Sequence, residues 1–98
     1  MATIEIQQQH SLTQDEVKKR VEAFIQEIQR EFGVEYKWNN DQLLTFTATA
    51  GMVKGTTGKL TLKEGVVSVD VDLPLMFRPL KNLIEMQIQE KLHDKLKA

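Results

Sequence analysis

Two aspartates on one predicted strand are the first residues whose spacing could carry chemistry. Asp70 and Asp72 stand two positions apart in an alternating segment, so both carboxylates would project from the same strand face. Paired carboxylates can bind a cation or share a proton. The same spacing also describes the solvated side of an amphipathic strand, which is the interpretation that we favour. Their electrostatic partners would then be Lys37, Lys59 or Lys63 on neighbouring strands.

The two histidines, His10 and His93, are the only imidazoles in the chain, and neither has a second ligand at metal spacing. His10 precedes Ser11, but adjacent side chains point in different directions, and no G-x-S-x-G nucleophile turn is present. The absence of cysteine excludes disulfides and thiolate zinc sites. Since no catalytic motif is visible, we expect a protein that is not an enzyme, with no metal and no cofactor.

A glycine-containing segment, Gly-Thr-Thr-Gly-Lys at 55–59, has part of the pattern of a phosphate-binding loop. Val53 stands where the first glycine of such a loop belongs, and Leu60 replaces the hydroxyl that would bind magnesium. The residues that follow are typical of a strand, so the anion would lack a helix N-terminus. The segment therefore predicts a hairpin turn and not a nucleotide site.

The composition is that of a soluble globular protein with one domain, residues 1–98. Hydrophobic residues make up 41% of the chain and charged residues 28%, which are ordinary values. Thirteen Lys and Arg against 14 Asp and Glu give a net charge of −1, without the basic surplus of a nucleic-acid-binding protein. No secretory signal and no apolar run of the ~20 residues of a membrane span are present. We therefore expect a cytoplasmic protein without a transmembrane segment.

The first half of the chain predicts a strand, a helix and a hairpin. Residues 3–9 alternate as a strand does, and Thr13 followed by Glu16 forms a capping box that begins a helix, which Gly33 would end. Two further alternating segments follow, around 34–38 and 44–48. The Asn-Asn-Asp turn at 39–41, which lies between them, suits positive φ angles. The apolar stripe of this helix repeats at helical spacing and consists of Val17, Val21, Phe24, Ile25, Ile28 and Phe32.

The second half predicts two strands and a helix. Residues 59–63 and 66–73 alternate around a Glu-Gly turn, and helical spacing begins near residue 80. Pro79 suits the first position of this helix, while Asn82 with Glu85 offers a rival cap, and the pattern does not separate the two starts. The predicted buried stripe is Leu80, Leu83, Ile84, Ile88, Leu92 and Leu96.

These elements predict an α+β fold with the order β-α-β-β-β-β-α. Hairpin-linked strands form an antiparallel five-stranded sheet. Each helix has one apolar face, so both helices should pack on one face of this sheet. The other sheet face would be rich in Thr, Lys, Glu and Asp, and would face water or a partner.

An apolar turn between two prolines is the most unusual feature. Leu75, Met76 and Phe77 crowd this turn beside Arg78. They could form a plug that closes the end of the core, or an exposed patch of the kind that marks a partner or an apolar surface. Met86, off the main stripe of the last helix, could extend such a patch because methionine adapts to irregular partners.

The order of these motifs resembles the putative polyhydroxyalkanoic acid system family, small bacterial proteins found with polyester-storage genes. The resemblance covers nearly the whole chain, and none of its motifs is catalytic. Pro74 stands where a glycine is expected in that family. The anchors are His10-Ser11-Leu12, Phe32-Gly33, Tyr36-Lys37-Trp38, Asp41, Phe46, Gly51, Gly58, Leu73 through Arg78-Pro79-Leu80-Lys81, and Ile84-Glu85.

The resemblance implies a cytoplasmic role at polyhydroxyalkanoate granules, and it implies no established activity. Our first hypothesis is a non-enzymatic accessory protein that binds the granule surface, or a granule or synthase protein, through Leu75, Met76, Phe77, Arg78 and Met86. A homo-oligomer is compatible with the sequence. The alternative is a carrier of a small apolar ligand with a shortened helix-grip fold, although the bulky inward residues favour a filled core. A third hypothesis is an enzyme that uses Asp70 and Asp72 with a metal.

Overall fold

Five segments of alternating polarity form one antiparallel sheet in the computed structural model, which describes residues 3–51 and 53–97. The strands lie side by side in the order β1-β5-β4-β3-β2. The predicted α+β fold and the order β-α-β-β-β-β-α are confirmed. The elements are β1 (Ile4–Gln9), α1 (Gln14–Phe32), β2 (Val34–Asn40), β3 (Leu43–Ala48), β4 (Thr57–Lys63), β5 (Val66–Asp72), a 3₁₀ helix (Leu75–Leu80) and α2 (Lys81–Leu96).

The register of the strands divides the sheet into an apolar face and a polar face. Residues directly opposite each other in an antiparallel sheet share a face. One row across all five strands is apolar and consists of Ile6, Val69, Leu60, Leu44 and Trp38. The adjacent row, on the other face, consists of Glu5, Asp70, Lys59, Thr45 and Lys37. The alternation in each strand therefore specifies which side of the sheet the helices cover.

Both helices pack on the apolar face, as predicted. Helix α1 contributes five buried residues to the core, whereas α2 buries only Leu92 and Leu96 completely. The two helices run antiparallel, since Arg20 of α1 contacts the C-terminal end of α2 and Glu31, near the end of α1, contacts Lys91. Neither α1 nor α2 lies on the polar face, which we call the open face of the sheet.

The ends of α1 follow the sequence signals closely. The Thr13 hydroxyl accepts a hydrogen bond from the Glu16 backbone N–H at 3.2 Å. Gly33 has φ of 66° and donates its N–H to the Gln29 carbonyl, as a left-handed helix terminus does. The second half of the predicted capping box is replaced by an ion pair, because the Glu16 carboxylate accepts from Arg20 Nε at 2.9 Å.

The turn between β2 and β3 differs from the prediction in its backbone. Among the residues that the structure describes, only glycines have positive φ, so none of the residues at 39–41 adopts it. The Asn40 side-chain oxygen accepts from the Gln42 N–H at 2.8 Å, and the register shifts between Trp38 and Asn40. A side-chain hydrogen bond and a bulge thus turn the chain without left-handed residues.

The connection from β3 to β4 is the predicted hairpin and not a phosphate-binding loop. Gly55 has φ of 95° and donates its N–H to the Ala48 carbonyl at 2.9 Å. Ala48 in turn donates to the Thr56 carbonyl at 2.8 Å, after which β4 begins at Thr57. No helix follows the glycines, so the segment has no helix dipole to offer an anion.

Candidate functional site

A surface of large exposed apolar side chains covers the 3₁₀ helix and the first turns of α2. Five large apolar residues are exposed to solvent there, all within twelve positions of the chain. We call them the 3₁₀–α2 apolar surface. The exposed fractions are 78% for Leu75, 77% for Met76, 38% for Leu80, 53% for Leu83 and 55% for Met86.

The 3₁₀ helix is anchored on both sides of its exposed pair. Leu73, at the end of β5, is buried, and Pro74 has extended backbone angles that redirect the chain. Phe77 donates its N–H to the Pro74 carbonyl at 2.9 Å, and its ring packs against the core. Leu75 and Met76 lie between these two anchors and project into solvent. Both interpretations of the turn therefore apply, since Phe77 closes the end of the core while Leu75 and Met76 are exposed.

Helix α2 begins at Lys81, directly after the 3₁₀ helix, and no side chain caps its N-terminus. Neither predicted start is the first helical residue, because Pro79 belongs to the 3₁₀ helix and Asn82 is the second residue of α2. The change from 3₁₀ to α-helical winding also removes Leu80 from the line of Ile84. Arg78 is exposed on the 3₁₀ helix, beside the apolar surface.

The predicted buried stripe of α2 is wrong at its N-terminal end. Ile84 and Ile88 pack against the core, but Leu80 and Leu83 are exposed. At 100° per residue, Leu83 and Met86 lie three positions apart on one side of the helix, roughly opposite the line from Ile84 through Leu96. The first half of α2 is thus apolar on two sides, of which only one meets the protein.

Ion pairs hold the second half of α2 to α1. Lys91 Nζ lies 3.3 Å from Glu27 and 3.0 Å from Glu31, and Lys95 Nζ lies 3.0 Å from the other Glu27 oxygen. The two lysines, Lys95 first, hold the pKa of the Glu27 carboxyl below its ordinary value. Glu31 and Glu27 raise the pKa of Lys91 correspondingly. These contacts hold the C-terminal half of α2 against α1.

The C-terminal end of α1 lies beside the middle turns of α2. Helix α1 stops at Phe32, whose side chain lines the same cleft as Ile84 and Ile88. Leu83 and Met86 lie on the side of α2 roughly opposite Ile84, which explains why neither the core nor α1 covers them.

A small apolar cleft lies between the two helices and the sheet. Its volume is about 60 Å³, far below the ~300–1,000 Å³ of a typical ligand pocket. The buried hydroxyl of Thr56 is the main polar group on its wall, with Gln87 and Lys91 at its edge. The apolar wall residues include Ile28, Phe32, Phe46, Val53, Val71, Leu73, Ile84 and Ile88. The bulky inward side chains fill most of the space that a helix-grip carrier would keep open.

The two aspartates lie on the open face of the sheet, as their spacing predicts. Asp70 is directly opposite Lys59 on β4 and Glu5 on β1, while Asp72 is opposite Thr57. Within residues 3–51 and 53–97, no group of three acidic, histidine or cysteine side chains could hold a metal ion. The arrangement has the character of a solvated strand face.

The two histidines have separate surroundings. His10 Nδ1 accepts the Leu12 N–H at 3.0 Å, and the His10 backbone donates to the Gly65 carbonyl at 3.0 Å. His10 therefore shapes the chain just before α1. His93 is exposed in the last turns of α2.

Leu80 and Leu83 are the members of the apolar surface that the sequence interpretation missed. They were assigned to the core because they match a helical repeat with Ile84. The overlooked signal is that Leu83 and Met86 are an i, i+3 pair, which requires both to lie on one side of the helix. Phe77, one of the predicted partner-binding residues, is partly buried and packs against the core.

None of the described helices is long and apolar enough to cross a membrane. None of the curated proteins matches the chain. A family model described as "Putative polyhydroxyalkanoic acid system protein" matches residues 4–96, from the first strand to the end of α2. The match includes the 3₁₀ helix and α2, which carry the apolar surface. The chain therefore belongs to the putative polyhydroxyalkanoic acid system protein family.

Proposed function

We propose that this protein is a non-enzymatic, cytoplasmic accessory protein of polyhydroxyalkanoate storage. It binds the granule surface, or a protein on that surface, through the 3₁₀–α2 apolar surface. Membership of the family supports the link to polyhydroxyalkanoate. The observation that carries the binding proposal is the concentration of Leu75, Met76, Leu80, Leu83 and Met86 in one exposed segment. Such concentrations on soluble proteins mark contact sites.

The chemistry of the surface suits a granule. Moving one leucine or methionine side chain fully out of water contributes ~1.5–3 kcal/mol. Several such side chains together can exceed the cost of immobilising the protein, which is several kcal/mol. Met76 and Met86 are flexible enough to follow an irregular polymer or protein surface.

Contacts with the core keep the 3₁₀–α2 apolar surface exposed in the folded protein. Leu73 before the 3₁₀ helix and Phe77 within it pack on the core on either side of Leu75 and Met76, so this pair stays exposed without unfolding. On α2, Leu83 and Met86 are exposed on the side away from the core. A flat apolar surface could therefore reach these side chains without a clash with the helix layer.

Co-sedimentation with purified granules tests this proposal. The Leu75→Ser, Met76→Ser double variant should lose binding by roughly tenfold or more, because each side chain loses its transfer free energy. Phe77 is left in place, since its removal would disturb the core. Gln26→Ser with Gln29→Ser on the exposed side of α1 is the matched control and should bind like the original protein.

Two granule preparations distinguish the two possible binding partners, the polymer and a coat protein. Granules stripped of protein retain only the polymer, whereas native granules also display their coat. Binding to both indicates the polymer, and binding to native granules alone indicates a coat protein. If the original protein sediments with neither, or if the double variant binds undiminished, the proposal is wrong.

A further inference from the structure

The open face of the sheet has a central row of residues whose charges are complementary to themselves, while Glu35, Lys63 and Asp72 lie outside that row. Its central row begins with Glu5 on β1 and Asp70 on β5, and continues through Lys59, Thr45 and Lys37 toward β2. Acidic groups thus occupy one side of the row and basic groups the other. We propose that this face is the contact surface of a homodimer, in which a second copy of the chain packs face to face.

A two-fold axis accounts for the pairing. If the axis runs along the strands, between the two faces and over the central strand β4, it brings β1 of one copy over β2 of the other. Glu5 then lies over Lys37 of the second copy. Asp70 lies over Thr45 of the second copy, between its Lys37 and Lys59. Lys59 faces Lys59 of the second copy on the axis, with an Asp70 carboxylate on each side of this pair, and each of the other contacts occurs twice because the interface is isologous.

The charges in this row are available for such a contact. Glu5, Lys37 and Lys59 are exposed, and Asp70 is half-buried. Among the residues that the structure describes, none of these four takes part in an ion pair, although five other ion pairs join Lys18, Arg20, Lys91 and Lys95 to carboxylates. Within residues 3–51 and 53–97, every ion pair includes a helix residue, and the charges of the open face form none.

The uncharged part of the open face can pack against a like surface. Thr47, Thr57 and Thr61 stand between the charged positions, and β-branched side chains pack well on a pleated sheet. The Ser68 hydroxyl is buried without a hydrogen-bond partner in the monomer. Aligned sheets that pack at about 30° with ~10 Å between them bring such rows into contact.

The face is small, so the dimer should be weak and reversible. Five strands at ~4.8 Å spacing and six or seven residues in length offer less area than a standard interface, which buries ~800 Å² per partner. The molecular mass of the original protein, measured by sedimentation, should therefore rise from 11.3 kDa toward twice that value between micromolar and millimolar concentration. The association should weaken in high salt, which screens exposed charges.

Charge reversal on each half of the row tests the pairing itself. Glu5→Lys with Asp70→Lys makes the row wholly basic, and Lys37→Glu with Lys59→Glu makes it wholly acidic. Each variant alone should dimerise at least about tenfold more weakly than the original protein, because like charges then face each other. An equal mixture of the two variants should form a heterodimer, since opposite rows meet again.

The mixing experiment also supplies its own control for folding. Variants that had lost their structure could not regain association on mixing, and circular dichroism of each variant checks this directly. Lys19→Glu with Arg30→Glu on the exposed side of α1 introduces the same number of reversals and should leave dimerisation unchanged. An original protein that stays monomeric at all concentrations, or variants that do not associate when mixed, would overturn the inference. Granule binding uses the opposite side of the molecule, so either result leaves that proposal to its own test.

Discussion

Gly58, in β4, is a strand position that leaves no room for a side chain. It lies opposite Phe46 on β3, and the Phe46 ring covers it. A Cβ atom added to Gly58 would collide with the Phe46 ring and would stand 2.9 Å from the Asp70 carbonyl oxygen, closer than real Cβ atoms come to their neighbours. The aromatic ring therefore occupies the space that the glycine leaves on the apolar face.

Gly58→Ala should lower the free energy of unfolding by about 1–3 kcal/mol, as other overpacked cores do. Urea unfolding followed by the fluorescence of Trp38, the only tryptophan, measures this change. In a Phe46→Leu background the same substitution should cost less, because the ring is gone. An equal cost in both backgrounds would show that the ring is not the obstacle.

Tyr36 and Trp38 meet a carboxylate from α1 on the same sheet face. Trp38 Nε1 donates to Glu22 at 3.1 Å, and Lys18 lies 5.1 Å from the centre of the indole ring. The Glu22 carboxylate beside the Tyr36 hydroxyl, and to a lesser degree burial, raise the pKa of Tyr36 above its ordinary 10.0. This raised pKa favours the neutral phenol in the folded state.

The absorbance of Tyr36 during alkaline titration reports this shift without interference from another tyrosine, because the chain has only one. The midpoint should lie above 10.0, and Glu22→Gln should move it back toward 10.0 while keeping an oxygen for Trp38. The stabilisation is fully present below the unfolded pKa of about 10 and is lost as pH rises through the folded value. Asp15→Asn, at an exposed position of α1, is the control. A midpoint at or below 10.0 would contradict this account.

At the scale of the elements, α1 could be predicted from the sequence and α2 only in part. Thr13 and Gly33 act on the backbone next to them, so local pattern was sufficient. The start of α2 depends on how Phe77 docks on the core, which is a tertiary contact. For the same reason, periodicity alone could not separate the buried Ile84 from the exposed Leu83.

The end of α2 also depends on a contact that no local pattern contains. Arg20 Nη1, from the middle of α1, donates to the carbonyls of Lys95 and Lys97, each at 2.9 Å. These carbonyls have no partner within their own helix, and a guanidinium is a good donor to them. A residue 75 positions earlier thus caps the helix.

Arg20→Ala should therefore lower the free energy of unfolding by about 1–2 kcal/mol, through loss of charged hydrogen bonds at a helix end. Hydrogen exchange should accelerate first in the last turn of α2. Arg30→Ala, an exposed arginine of the same helix, should change the stability by less than ~0.5 kcal/mol. Equal effects of the two substitutions would mean that Arg20 does not cap α2.

At the scale of the whole molecule, alternation and helix polarity were sufficient to predict the α+β fold and the side of the sheet that the helices cover. They could not predict which apolar side of the first half of α2 stays exposed, because that depends on how the helix is rotated against the core. The molecule therefore has two different outward surfaces. One is apolar, on the 3₁₀ helix and α2, and the other is the charged open face of the sheet.

An environment-sensitive fluorophore at one position tests most directly whether the 3₁₀–α2 apolar surface enters an apolar phase. The chain has no cysteine, so Met76→Cys provides a single labelling site, and Gln26→Cys on α1 provides the control. On addition of polyhydroxyalkanoate granules, the emission of the label at position 76 should shift to the blue, while the label at position 26 should keep its emission in water. A label at position 76 that stays in water, or equal shifts at both positions, would contradict the account.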